Sequence, residues 1–471
     1  MILNMKMKRC LLFALVTLVP LLELVAVRIN GIYYIFLKNE KALVVPYYKG
    51  TPLDFGYDPR MLIKFTLEDI KSHKNVDVEI PDYSGEVKIP EYVIYKGVKY
   101  SVTSIEDNAF RHCSDLTSVT IPSSIDYIKS CAFHGCSGLT SITLPQGVVS
   151  LCGSAFADCT GLTSVTIPRS VTFIEGNVFN GCSNLTSIEV EEGNYRYDSR
   201  NNCNAIIQTK SNTLISGCQN TTIPKSVTSI GDEAFRGCTG LTSITIPKNV
   251  KSISRDAFSG CDSLASIKIE SGNPIYDSRD NCNAIIETKT NTLIVGCKNT
   301  VIPSGITSIN EFAFEKRSGL TSITIPEGVT IIDQFAFQGC SDLTTVSIPS
   351  SVISIEEGAF HRCRSLTDVY CYSKECPPIK SITGSISTVF DNSAIASATL
   401  HVPAGTAKIY KAQGPWSGFG NIVEMEEEVS ETATIIKVFG CILFGIVFVL
   451  LLKRLTKRKN DLYDNYHKSY N

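Results

Sequence analysis

The sequence predicts a repeat solenoid in which short parallel strands stack coil upon coil. Two periodic features and one pair of insertions carry that prediction. An Ala-Phe pair recurs at Phe110, Phe133 and Phe156, becomes Val-Phe at Phe179, and returns at Phe235, Phe258, Phe314, Phe337 and Phe360. Locked to it is L-T-S-I-T-I-P, which with its sequel LTSITIPKNVKSISRDAF fills residues 241–258; further copies begin at Leu116, Leu139, Leu162, Leu185, Leu264, Leu320, Leu343 and Leu366. Within each run the spacing is 23 residues, and the jumps Phe179 to Phe235 and Phe258 to Phe314 are both 56, which is 23 plus 33. A fixed period in the twenties built on L-x-x-I-x-I marks a leucine-rich repeat, whose single coil cannot bury its apolar face without neighbours.

Each segment of the coil follows from its residues. In 241–247, Leu241, Ile244 and Ile246 point inward, and Ser243 and Thr245 face out on the concave side. Pro247 lacks an N–H and ends the strand. Val250 and Ile253 re-enter the core, and S-x-x-A-F supplies a short turn or 3₁₀-like convex segment with Phe258 inward. Truncating one buried Leu or Ile to Ala should cost roughly 2–5 kcal/mol. With strands about 4.8 Å apart, roughly ten coils give one parallel β-sheet on the order of 50 Å long.

The ends do not share the period. A basic MKMKR followed by an apolar run from Cys10 to Leu22 makes 1–27 a signal peptide or signal anchor. Residues 28–100 alternate apolar and polar positions between Gly and Pro, the mark of short strands, and read as a β-rich N-terminal cap over the open first coil; Lys64 to Lys74 is a loop or short helix. The repeat array spans 101–370, and 371–426 holds a degenerate coil and a C-terminal cap, with the single Trp416 packed over the last coil. An acidic linker, 427–434, leads to 435–452, which is apolar except for Lys437 and is long enough for a transmembrane helix. Lys453, Arg454, Lys457, Arg458 and Lys459 follow, so the positive-inside rule puts the tail 453–471 in the cytoplasm and the repeats outside the cell. Tyr463, Tyr466 and Tyr470 give that tail a sorting or signalling reading beside the plain one of a solvated end.

The two insertions, near 194–222 and 273–301, are near-duplicates: YDSRNNCNAIIQTKSNTLISGCQNTTIP and YDSRDNCNAIIETKTNTLIVGCKNTVIP. Paired apolar runs separated by Lys-Ser-Asn or Lys-Thr-Asn predict β-hairpins that project from, or extend, the solenoid, and duplication of a 79-residue unit explains both. Eight cysteines, Cys113, Cys136, Cys159, Cys182, Cys238, Cys261, Cys340 and Cys363, lie three residues after the repeat phenylalanine; the ninth such position is Arg317. They read as a ladder of small buried side chains with weak S–H donors. Cys203–Cys218, Cys282–Cys297 and Cys371–Cys376 are candidate disulfides in an oxidising compartment.

The coil I-x-x-x-A-F-x-x-C-x-x-L-x-x-I-x-I-P, with the Y-D-S-R-x-N-C-N-A-I-I hairpins and the V-P-A-G-T segment near the end, resembles the BspA-like leucine-rich repeat proteins from about Tyr83 to Met425. The resemblance implies a surface protein of a host-associated microbe that adheres to host matrix, host cells or other microbes. The apolar span near the C-terminus looks more like the membrane-anchored protist members than the bacterial ones.

Enzyme chemistry finds no footing here. His73, His112, His134, His361, His401 and His467 have no HExxH spacing, and neither G-x-S-x-G nor a Walker A sequence occurs, so no catalytic residue, metal or cofactor is assigned. A chain with 44 basic and 46 acidic residues gives no reason to expect nucleic acid. The Ser/Thr face (Ser118/Thr120, Ser141/Thr143, Ser164/Thr166, Ser243/Thr245, Ser322/Thr324) suits broad, multivalent contact rather than a small-molecule pocket. Its departures, Glu189, Lys268, Asp368 and Tyr370, together with the hairpins, form the expected binding surface for an extracellular protein or glycan. Asn184 and Asn220 stand in N-x-T sequons. The expectation is a surface adhesion or binding protein; a receptor signalling through its tail and a structural coat protein are the alternatives.

Overall fold

A computed structural model of the chain describes residues 27–29, 32–36, 41–45, 83–380 and 389–426. The apolar run from Cys10, residues 64–74, the linker 427–434, the span 435–452 and the tail 453–471 lie outside the described residues. Among the described residues no helix is long and apolar enough to cross a membrane.

Each coil has three sides. The first is the predicted strand: Ser164–Ile167 pairs in parallel with Ser187–Val190 one coil on and with Ser141–Ile142 one coil back, residue to residue at the repeat spacing. Its side chains alternate exposed and buried, so the serines and threonines face out and the isoleucines and valines in. The second side is a sheet that the sequence did not announce. Two-residue strands, Tyr127–Ile128, Ser150–Leu151 and Phe173–Ile174, stack in parallel from the segment read as leading straight into a turn. Two residues are too few for an alternation signal, which is why the period concealed them.

The third side is the A-F-x-x-C turn. Phe110 N donates to Ala132 O at 2.7 Å and Phe133 N to Ala155 O at 2.7 Å, so this edge has its own ladder. The phenylalanines are fully buried and stack ring on ring, with Phe110–Phe133 centroids 5.0 Å apart and Phe133–Phe156 5.2 Å. The ladder thiols lie beside them. Cys136 Sγ donates to Phe110 O at 2.9 Å, Cys159 to Phe133 O at 3.1 Å and Cys182 to Phe156 O at 3.0 Å. Each thiol thus fills the second lone pair of a buried carbonyl, beyond the packing role the sequence suggested. Burial pushes Cys182, Cys261 and Cys340 up to about 12, so these thiols are not nucleophiles.

The insertions extend the solenoid. Tyr197–Asp198, Ala205–Gln208 and Thr213–Gly217 form an antiparallel trio, and the last strand pairs in parallel with Ser229–Ile230 of the second sheet. The duplicate repeats this with Tyr276–Asp277, Ala284–Glu287 and Thr292–Gly296. The first sheet does not run unbroken for ten coils as expected: it stops at each insertion, and it also breaks between Leu116–Thr120 and Ser141–Ile142. At both ends strands continue the array. Lys41–Val45 carries an antiparallel hairpin and pairs with Val98–Ile105, which is followed by Tyr127–Ile128 in the second sheet. Thr399–Val402 and Asn421–Glu424 continue the first sheet. Trp416 is buried against Phe390 and Tyr410, with both centroid distances 5.6 Å.

Candidate binding surfaces

The Y-D-S-R motif of each insertion is structural, residue by residue. Tyr197 Oη accepts from Ile174 N at 2.9 Å, and Ser199 Oγ accepts from Val190 N at 2.9 Å; these hydroxyls take the place of ladder carbonyls where both sheets are interrupted. Asp198 grips Arg200 bidentately, at 2.6 Å from Nε and 2.5 Å from Nη2, and Arg200 Nη1 reaches Asn212 Oδ1 at 2.9 Å across the hairpin. Arg279, Asp277 and Asn291 repeat the brace. The Asp198 carboxyl lies below its ordinary value: burial alone would raise it, and the hydrogen bonds from Arg200 and Thr209 outweigh that.

The candidate bridging cysteines are separate thiols in this structure. Cys218 Sγ donates to Asn204 O at 3.3 Å and Cys297 Sγ to Asn283 O at 3.2 Å, while Cys203 Sγ is directed at Ala205 O, 3.7 Å away. Cys282 Sγ lies 4.0 Å from Ser278 Oγ, and Cys371 Sγ lies 3.2 Å from Tyr410 Oη. Cys376 is half-buried. In each hairpin the second cysteine is thus directed at the carbonyl of the Asn that follows the first, Asn204 or Asn283.

The four face residues named from sequence do not form one site. Glu189 pairs in register with Thr166 and Lys268 with Thr245, on separate sheets. Both are exposed. Asp368 and Tyr370 do come together, and His401 joins them from the next strand. His401 Nε2 lies 2.8 Å from Asp368 Oδ1, and its ring stacks on Tyr370 at 4.2 Å, 8° from parallel. That hydrogen bond holds the Asp368 carboxyl below its ordinary value. His401 was missed because the pairing crosses 33 residues through a degenerate coil. Both sequon asparagines, Asn184 and Asn220, are exposed.

The recesses described on the surface lie away from the Ser/Thr face. Two grooves of about 960 and 520 Å³ run along the turn edge beside the insertions. Their carboxylates are largely cross-linked by the chain's own bases: Arg255 to Glu311 at 3.3 Å, Arg236 to Glu233 at 2.7 Å, and His134 to Asp158 at 3.6 Å. A third recess of about 500 Å³ lies on the first hairpin between Tyr195, Arg196, Gln208, Lys210 and Ser211. None of these five was singled out in the sequence. The signal that marks them is the difference between the two duplicates.

Three of the solved structures similar to this chain illustrate the likeness. A leucine-rich cell surface protein from Faecalibacterium prausnitzii is 21% identical, with 87% of this chain and 97% of that one covered and a TM-score of 0.45. The pneumococcal vaccine antigen PcpA is 14% identical, with 86% and 99% covered and a TM-score of 0.43. A leucine-rich repeat protein from Eubacterium ventriosum is 19% identical, with 78% and 94% covered and a TM-score of 0.38. At these values none of them bears on partner or activity. No curated protein matches. The model of the BspA type leucine rich repeat region matches in six copies, over residues 103–215, 207–294 and 285–412. With that match over well more than half its length, and with the coil, thiol ladder and hairpins described above, the chain belongs to the BspA-type leucine-rich repeat family.

Proposed function

We propose that this protein is a surface-displayed adhesin that holds an extracellular protein or glycan partner through the departures from its repeat. The observation that carries the reading is positional. In the outward columns of the first side, coil after coil carries Ser or Thr, and charged and aromatic exceptions, among them Glu86, Lys88, Glu189, Lys268 and the Tyr370–His401–Asp368 group, stand on its strands. The hairpin recess adds an exposed aromatic and two cations to that set. On this reading 28–100 caps the first coil, 435–452 anchors the chain, and the repeats stand outside the cell. The basic residues that follow the C-terminal apolar span support the orientation.

The full chain displayed on a heterologous cell, set against a panel of host cells and matrix proteins, tests the proposal. The expected result is saturable adhesion. An absence of saturable binding across the panel would count against it and favour a coat protein. Tyrosine phosphorylation of the tail on ligand contact would instead make the chain a receptor.

A further inference from the structure

We propose that the recess on the first hairpin is a binding site for an acidic saccharide, a pyranose carrying a carboxylate or sulfate. The inference rests on the reading of the chain as a binding protein and names the ligand class for one site on it.

The geometry is built from the loop upward. Asn194 is clamped to the preceding coil: its Nδ2 donates to Pro168 O at 3.1 Å and Val171 O at 2.9 Å. Its Oδ1 in turn accepts from Arg196 N at 2.9 Å and Tyr197 N at 3.0 Å. Tyr195 lies between these fixed points and is forced outward, 70% exposed. The backbone bond from Thr209 N to Arg196 O, 2.9 Å, brings the hairpin turn alongside. The Arg196 guanidinium lies 5.8 Å from the centre of the Tyr195 ring, and most of the Tyr195 side chain stays exposed. Ser211 Oγ donates to Gln208 Oε1 at 2.7 Å, which leaves the Gln208 amide N–H pair to the recess. Lys210 is exposed at the rim.

This set fits a sugar acid. An exposed aromatic ring stacks on the C–H face of a pyranose, the amide and hydroxyl address ring hydroxyls, and Arg196 with Lys210 pairs an anionic substituent. A peptide fits less well, because strand addition requires a free edge. Ala205–Gln208 and Thr213–Gly217 are each paired on both sides, and the edge strand beside the recess, Tyr197–Asp198, is only two residues long.

The duplicate provides an internal control. Seventy-nine residues on, Asn273 makes the same clamp, to Pro247 O at 3.2 Å and Val250 O at 3.0 Å, so the scaffold is retained. The ring is replaced by Pro274, and the cation by Ile275, which packs on the core. Gln208 is replaced by Glu287, a carboxylate that repels an anion. Of the five residues that line the recess, four differ in the duplicate, Ser211 becoming Thr290, and only Lys210 is kept, as Lys289.

The test is affinity of the full chain for labelled hyaluronan and heparin hexasaccharides, neutral chitohexaose, and a tetraglutamate peptide. Saturable binding of at least one acidic sugar is expected, with chitohexaose and the peptide failing. Tyr195→Ala and Arg196→Ala should each weaken that binding roughly tenfold or more, and Ile275→Ala should leave it unchanged. Tyr195→Ala without effect would reduce the interaction to diffuse charge attraction and overturn the site. So would equal binding of chitohexaose, equal binding of the peptide, or binding of neither acidic sugar. A Tyr195→Ala/Arg196→Ala chain that loses sugar binding but still adheres to cells supports the site and shows that adhesion runs elsewhere. Sugar binding by a chain that adheres to nothing sinks the adhesin reading alone.

Discussion

Arg317 occupies the position where the ladder carries cysteine, and it is fully buried. Its Nε donates to Gly296 O at 2.8 Å, Nη2 to Phe258 O at 2.9 Å, and Nη1 to Cys261 O and Glu315 O at 3.3 and 3.2 Å. The reason is reach. The second insertion places Gly296 between this coil and the one before it, so a thiol cannot serve the carbonyls on both sides, whereas a guanidinium can. At the first insertion the same position keeps Cys238, whose Sγ lies 3.6 Å from Gly217 O, a looser contact. Arg317→Met should therefore lower unfolding stability by about 3 kcal/mol, since it takes the guanidinium donors away from four carbonyls at a buried site. Arg317→Cys should do no better despite restoring the repeat consensus. Urea denaturation followed by circular dichroism reads both; an unchanged midpoint for either variant would refute the bridging role.

At the scale of the element, the hairpin matters as a joint. Tyr197 and Tyr276 occupy equivalent places, accepting from Ile174 N at 2.9 Å and from Ile253 N at 3.2 Å. Removing the hydroxyl leaves an N–H unpaired, and the cost depends on how dry the site is. Ile174 is buried and Ile253 only half-buried. Tyr197→Phe should thus cost about 1–2 kcal/mol, and Tyr276→Phe measurably less, by thermal unfolding. The reverse order would mean that these hydroxyls are not the ladder's substitutes. The hairpins were legible as hairpins from paired apolar runs around a polar turn. That their return strand joins a second sheet was not, because its partner strands are two residues long.

For the whole molecule, each insertion thickens one side and not another. Three strands stand between Phe173–Ile174 and Ser229–Ile230 on the second sheet, yet at the turn edge Gly181 N still donates directly to Arg236 O at 3.2 Å. Gly237, at φ +69°, admits that approach: a Cβ there would lie 2.7 Å from the Gly181 Cα. The solenoid therefore splays on the second-sheet side and pinches at the turn edge, the edge along which the two larger grooves lie. Since coils touch mainly their neighbours, a whole unit is removable. Excising 185–263 joins Asn184 to Leu264 in register and should leave a shorter folded array, with Arg317 facing Phe179 and Cys182 in place of Phe258 and Cys261. The expected readout is an unchanged circular dichroism per residue and a smaller denaturant slope. Loss of cooperative unfolding would show that the two units are not interchangeable.

The sequence by itself determined the coil, its inward residues, the phenylalanine and cysteine ladders and the duplication, because each is a short-range pattern repeated until its period is unmistakable. The tertiary structure alone decided what happens between coils: the second sheet, the Arg317 bridge, the thiols directed at carbonyls, the Asp368–His401–Tyr370 group and the outward Tyr195. Those features depend on which backbone atom one coil presents to the next. An insertion of 33 residues shifts that presentation without disturbing the pattern on either side.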